Sequence, residues 1–322
     1  MRYPRLVASL LTVVTLTVVT GCDKARANDL AALAAADSAR RTDSLLIADH
    51  PNILYQVFGE RDSPRLLPVA AIKDGNLVPL TLSEDGWRRF DAQYNKPGTQ
   101  YTIYQDGREA GWARITKSMW DGDREPLYKL PGCAVATPLA AADVKAPPPV
   151  GYMVELLASD AKFVTNKPHT RSGAYESISK ARAVVTTVAD AAGISRSTLD
   201  ALDFRAMAIT TGATSDPTLV VSLVDPSQGG EQSTQATHLF VLADRTGKTY
   251  MPSYSRIVRG SSASTQYRRL VDHLDLNGDG VDELLLEGWS SGRESYLLVL
   301  SFKDGRWEET YKGRSSWCIR AQ

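Results

Sequence analysis

The chain is written in short apolar runs separated by turn-forming clusters. From Ile53-Leu54-Tyr55-Gln56-Val57-Phe58 onward, β-branched, aromatic and leucine residues come in brief groups bounded by Gly, Asp, Asn and Pro, the pattern of strands. Strands are predicted over residues 150–157, 204–211, 218–224, 238–243, 250–258, 283–288, 296–302 and 307–311, the last four as hairpin partners around an acidic loop at 275–286. Asp-Gly sits between apolar flanks at Asp74-Gly75, Asp106-Gly107 and Asp304-Gly305, with Thr246-Gly247 as a looser variant. This is a strong hairpin signal, because a two-residue type I′ turn needs positive φ at both central positions. The spacing of these turns has no fixed period, so they predict antiparallel meanders and not a solenoid.

One window changes period. Ile178, Ala181, Val185, Val188 and Ala192 recur at steps of three and four, the stripe of an amphipathic helix, and Gly193 suits the position just past its end. Ser197, with Asp200 three residues on, predicts the start of a short second helix. The fold class that follows is α+β, mainly β: antiparallel meanders and hairpins, with one amphipathic helix pair packed on the C-terminal sheet. Lys145-Ala146-Pro147-Pro148-Pro149 stiffens into polyproline geometry and predicts a boundary. The expected organisation is a leader at 1–21, an alanine-rich tether at 22–50, a β domain at 51–140, a Pro-rich linker at 141–149 and an α+β domain at 150–322. Trp87, Tyr94, Tyr101, Tyr104, Trp112 and Trp120 crowd the first half; they form its core or line a ligand groove, and core is the ordinary use of aromatics in a small β domain.

The N-terminus carries an address. Arg2 and Arg5 precede an apolar run over residues 6–20 that is short for a membrane span and shaped like an export signal. The run ends in Val19-Thr20-Gly21-Cys22, which resembles a bacterial lipobox, where cleavage precedes an acylated cysteine. That resemblance implies lipidation at Cys22 and a protein hung from the bacterial cell envelope, periplasmic or surface-facing; the other reading is an ordinary signal with an incidental cysteine. Two cysteines then remain, and in an oxidising compartment Cys133 and Cys318 are expected to pair, although two separate thiols fit the sequence as well.

Charge narrows the partners. The whole chain balances 37 Lys+Arg against 37 Asp+Glu. Residues 1–21 hold two arginines and no acid, so the remainder carries 35 basic and 37 acidic residues and a net charge of −2. No basic stripe is present, and nucleic acid is not an expected partner.

The stretch DLNGDGVDELLL at 275–286 points to a specific chemistry. Oxygen-bearing side chains alternate at Asp275, Asn277 and Asp279, Gly280 follows, the Val281 carbonyl is next, and Glu283 stands at the ninth place. Calcium takes six to eight oxygens, and a loop curled around it needs donors at every second residue and a glycine for the turn. The twelfth position is Leu286 and not the bidentate carboxylate of an EF-hand. The pattern D-x-N-G-D-G-x-D-E-L-L instead resembles the calcium loop of FG-GAP or VCBS-type repeats. The resemblance covers about a dozen residues, and the chain has one copy and no Phe-Gly…Gly-Ala-Pro signature, so it does not imply a propeller. It implies calcium held by Asp275, Asn277, Asp279, Val281 and Glu283, with a structural role. The competing reading is a pair of tight Asn-Gly and Asp-Gly turns capped by side chains.

No H-E-x-x-H, Walker loop or dinucleotide fingerprint occurs, and Gly288-Trp289-Ser290-Ser291-Gly292, which matches G-x-S-x-G, leads into the strand pattern of Tyr296-Leu297-Leu298-Val299-Leu300 and not into the helix that a nucleophile elbow needs. The histidines, His50, His169, His238 and His273, are too scattered for a zinc site. His273 lies two residues ahead of Asp275 and reads as a polar surface group at a strand end, with no orienting partner evident for catalysis. The sequence therefore favours a non-catalytic envelope lipoprotein with a calcium-stabilised fold and a protein or glycan partner. A hydrolase whose site assembles only in space, and an accessory subunit of an envelope complex, are the other classes.

Overall fold

The computed structural model describes residues 50–60, 62–80, 82–118, 139–147, 153–163, 171–172, 175–226, 236–261, 265–290, 294–313 and 317–318. The expected leader, the tether up to residue 49, Cys22, Cys133 and the side chain of Cys318 lie outside them. The described chain is mainly β with three helices, as its sequence pattern implied.

The first half is a closed barrel. Its strands are β1 (Asn52–Glu60), β2 (Arg65–Lys73), β3 (Asn76–Pro79), β4 (Gln100–Gln105), β5 (Arg108–Ser118), β6 (Ala140–Lys145) and β7 (Met153–Ser159). They run in the order β1-β7-β4-β5-β6-β2-β3, and pairing of β1 with β2 closes six of them into a ring. Closure leaves few edges to protect. Ile53, Tyr55, Val57, Tyr101, Ile103, Ile115 and Leu156 point inward. They meet Trp87, Phe90 and Tyr94 from helix α1 (Glu84–Tyr94), whose start is capped by Ser83 accepting from the Gly86 N–H at 3.0 Å. Trp87, Tyr94 and Tyr101 are thus core, whereas Trp112 is partly exposed and Trp120 lies outside the described residues. Leu54 and Tyr104, one step out of phase, point outward into a second core.

Two expectations change here. Residues 141–149, expected as a linker, instead contribute β6, paired with β5 and β2; β7, expected to open the second half, pairs with β1 and β4. The barrel needs both to close. Helix α1 was not expected, because its apolar positions are aromatics widely spaced among charges, a weak stripe until the barrel supplies a cover.

The second half stacks two five-stranded sheets. One has the order β12-β11-β10-β9-β8, from β8 (Arg171–Ser172), β9 (Asp203–Ile209), β10 (Thr218–Val224), β11 (Ala236–Thr246) and β12 (Thr249–Gly260). Helices α2 (Tyr175–Ala191) and α3 (Arg196–Ala201) cover its outer face, Ala181, Val185 and Val188 packing on Leu219, Val221 and Val241. Helix α2 ends as Gly193 predicts. With φ at +64°, Gly193 donates to Asp190 O, and Ile194 donates back to Ala189 O. The cap of α3 is Ser195, accepting from Thr198 N at 3.1 Å, and not Ser197.

The other sheet comprises β13 (Gln266–Leu274), β14 (Glu283–Ser290), β15 (Glu294–Lys303), β16 (Arg306–Lys312) and β17 (Trp317–Cys318), which joins β15. Its residues alternate between two buried faces. Leu284, Leu286, Leu298 and Leu300 pack on Val220, Phe240 and Leu242 of the neighbouring sheet. Leu285, Leu297, Val299 and Tyr311 pack on Leu54, Ala70 and Leu157 of the barrel. Burial on both sides explains the uninterrupted Leu284-Leu285-Leu286. The order of layers is helices, sheet, sheet, barrel. The partner of β14 across the acidic loop is β13, whereas β12, expected in that role, pairs with β11.

Candidate functional site

The acidic loop joins β13 to β14 where all three sheets meet. Asp275 lies at its buried base and organises it through backbone donors: Oδ1 accepts from Gly278 N at 2.6 Å and Asp279 N at 3.1 Å, and Oδ2 from Gly280 N at 2.9 Å. Gly278 and Gly280 hold φ of +78° and +87°, which only glycine adopts freely. Asp279 N also donates to Asn277 Oδ1, and Val281 N to Asp279 Oδ1, each at 2.8 Å. Glu283, 5% exposed, closes the ring: Oε2 accepts from Leu276 N at 2.9 Å and Oε1 from Asn277 Nδ2 at 3.1 Å. Asn277 and Asp279 stand on the exposed rim.

One hydrogen-bonded net thus links Asp275, Asn277, Asp279 and Glu283, with Val281 joined through its N–H. Burial pushes the Glu283 carboxyl up to about 7; the Leu276 N–H opposes the rise, while the charges of Asp279 and Asp275 add to it. Among the described residues no Lys or Arg forms an ion pair with these three acids. Nor do three or more His, Cys, Asp or Glu side chains gather there as a ready-made metal cluster. The donor set nevertheless suits a hard cation: every side-chain ligand is oxygen, and an ionised carboxylate keeps lone pairs beyond those used by N–H groups.

Asp282, the remaining acid of the 275–286 stretch, turns inward. Its Oδ2 lies 2.6 Å from His273 Nδ1, both side chains having zero exposure, and its N–H donates to Thr211 O at 2.7 Å, in the connection between β9 and β10. Asp272 Oδ1 accepts from His273 N at 2.8 Å and from Gly107 N at 3.1 Å. His273 is therefore a buried tie with an acid partner, not the surface group its position suggested.

The barrel reaches the loop through two of its Asp-Gly turns. A Cβ at Gly75 would come within 2.5 Å of Asn277 Cα, and one at Gly107 within 2.5 Å of His273 Cε1 and 3.2 Å of Asp282 Oδ2. Nothing local in the sequence announces either contact.

Two further polar groups lie between the sandwich sheets. Asp244 Oδ1 accepts from Thr218 Oγ1 at 2.6 Å, and its Oδ2 from Ser253 Oγ and, at 2.8 Å, Trp307 Nε1. His238 has both ring nitrogens committed to backbone, Nδ1 donating to Leu223 O and Nε2 accepting from Arg268 N, each at 3.0 Å. Burial, reinforced by the charges of Arg268 and Arg256, lowers its pKa to about 4 against the bond to Leu223, so the ring is neutral. Such a ring is unavailable as a general base.

No protein-family model, curated protein or solved structure matches the chain.

Proposed function

We propose that this is a non-catalytic lipoprotein of the bacterial cell envelope, anchored by lipid at Cys22, in which calcium stabilises a rigid platform for a protein or glycan partner. The observation that carries the proposal is the place of the acidic loop. A single hydrogen-bonded turn of oxygen donors lies against the Asp74-Gly75 turn, beside the His273–Asp282 tie and next to the Thr211 connection. Asp275, Asn277, Asp279, Glu283 and the Val281 carbonyl would hold the ion. Bound calcium supplies positive charge that offsets the mutual repulsion of Asp275, Asp279 and Glu283. The chain's own residues do the rest: Gly278 and Gly280 allow the curl, Asp275 fixes it, and Asn277 meets the barrel. A pairing of Cys133 with Cys318 belongs to the same reading.

Thermal unfolding with calcium and with EDTA tests this. At a hundredfold excess over Kd, a ligand that binds only the folded state adds about 2.7 kcal/mol. For a protein of this size that is a rise in Tm of roughly 5–10 °C. Asp279→Ala, at the exposed rim, should remove the rise with little effect on the EDTA melt. Identical melts of the unaltered protein in calcium and EDTA would reject the metal.

A further inference from the structure

A second polar cluster lies away from the acidic loop, between β12 of one sandwich sheet and β13, β15 and β16 of the other. Arg268, 1% exposed, is the largest fully buried side chain of the described protein. In the sheet register Arg268 lies opposite Gly288, Gly288 opposite Tyr296, Leu298 opposite Lys312 and Leu300 opposite Glu309. Leu298 and Leu300 pack toward the neighbouring sheet, so this row turns the same way. There it meets Tyr254 and Arg256, which are two residues apart on β12 and share its inner face. Gly288 is what lets the Tyr296 ring lie across the row, since a Cβ there would fall 2.2 Å from Tyr296 Cζ. Lys312 Nζ stands 4.3 Å from the centre of that ring.

The charges of the cluster do not balance. Glu309, 37% exposed and on the solvent side, is its one carboxylate: Oε1 accepts from Arg268 Nη1 at 2.8 Å and from Tyr254 OH at 2.6 Å. Arg268 Nη1 also donates to the Tyr254 oxygen. Burial works to raise the Glu309 carboxyl, but the bonds from Tyr254 and Arg268, with the charges of Arg268 and Arg256, outweigh it and hold it below the ordinary range. Against this one acid stand Arg256, Arg268 and Lys312. The Arg256 side chain makes no hydrogen bond or ion pair among the described residues, and its Nε, like that of Arg268, is enclosed and has no acceptor.

A strut between two sheets accounts for Arg268 and Glu309 alone. It leaves Arg256 unexplained, because an enclosed guanidinium N–H without an acceptor destabilises the fold. Guanidinium groups present donors in a planar fork matched to the oxygens of carboxylate and phosphate, and a neighbouring ammonium adds an unoriented positive charge.

We propose that Arg256, Arg268 and Lys312, walled by Tyr254 and Tyr296, form a binding site for a small oxyanion group, a phosphate or carboxylate carried by the ligand, with Glu309 at its entrance. The ligand's oxygens take the place of the Glu309 carboxylate at Arg268 Nη1 and bond the terminal nitrogens of the half-buried Arg256. Glu309 keeps Arg268 oriented while the site is empty and repels anions that do not displace it. The site does not depend on the calcium loop, and its ligand is the polar part of whatever the platform engages.

Titration calorimetry of protein stripped of calcium and exchanged into chelator-free buffer, with inorganic phosphate and separately with glucuronate, tests the site without calcium. Saturable binding of one probe and not the other identifies the oxyanion as phosphate or carboxylate. Arg256→Gln removes the uncommitted guanidinium and keeps the Arg268–Glu309 hydrogen bond, and should weaken that binding at least tenfold without lowering the melting temperature. Lys312→Gln should weaken it severalfold. Should Arg268→Gln fail to fold, the Arg256 variant still decides. Absence of saturable binding by either probe, or equal binding by the unaltered protein and Arg256→Gln, would overturn the proposal.

Discussion

At the scale of single residues, the buried polar side chains set how the protein responds to pH. His238 is held neutral with a pKa near 4, against 6.5 for a free imidazole. Below 6.5 the unfolded chain takes up a proton that the folded one refuses, so stability is intact above that pH and falls as pH drops toward 4. A difference of about 2.5 units corresponds to roughly 3 kcal/mol once the pH is below both values. The geometry states why the proton is refused: Nε2 already accepts from Arg268 N, and the charges of Arg268 and Arg256 oppose a cation there. Melting curves between pH 7 and pH 4 should therefore show a decline that His238→Gln flattens, even if the variant starts from a lower stability. An equal decline in the variant would move the effect to other groups. None of this was legible in the sequence, where His238 was one of four scattered imidazoles and His273 had no visible partner. Asp282 is nine residues from His273. Only the fold of the loop between them brings the pair to 2.6 Å and buries it.

At the scale of elements, local turn chemistry was the most legible part of the chain. Asp74-Gly75, Asp106-Gly107 and Asp304-Gly305 each place both residues at positive φ and join the hairpins expected of them. The strand β13 was not legible, because Arg268, Asp272 and His273 interrupt its apolar pattern; their partners, Glu309 on β16, the Gly107 N–H of the barrel and Asp282 of the acidic loop, stand 41, 165 and 9 residues away in sequence. The three turns share a backbone requirement but not a surrounding, which gives a controlled comparison. Replacing any of the glycines by alanine incurs a left-handed penalty of about 1 kcal/mol. Around Gly305 nothing lies within 4 Å, so Gly305→Ala should lose about that much. Gly75 abuts the backbone of Asn277, and Gly107 the His273 ring. Forcing a methyl group into either place adds about 1–3 kcal/mol of overpacking. Chemical denaturation of the three variants should rank Gly305→Ala as the mildest. Equal losses would mean that the barrel turns do not bear on the loop.

At the scale of the whole molecule, the question is how a barrel and a sandwich whose contact is built from residues far apart in sequence behave as one body. Leu54, Ala70 and Leu157 pack on Leu285, Leu297 and Val299, and Tyr311 OH donates to Val69 O at 3.2 Å. Apart from that bond the interface is apolar, and apolar contact is non-directional, so it holds the halves together without fixing their angle. Direction comes from that bond and from the polar corner, where Gly107 N donates to Asp272 and Gly75 fits against Asn277. If calcium fixes the loop, its effect must pass through these contacts to turns that lie far upstream in the sequence. Hydrogen exchange then has a specific expected outcome. Adding calcium should slow exchange at Gly278, Gly280 and Val281, and also at Gly107, whose amide is bonded to Asp272, while Gly305 on the distant hairpin should not change. With Asp279→Ala every one of these changes should vanish together. Protection confined to the loop itself would separate the two roles: the ion would serve the β13–β14 turn alone, and the orientation of the barrel would rest on its apolar contact.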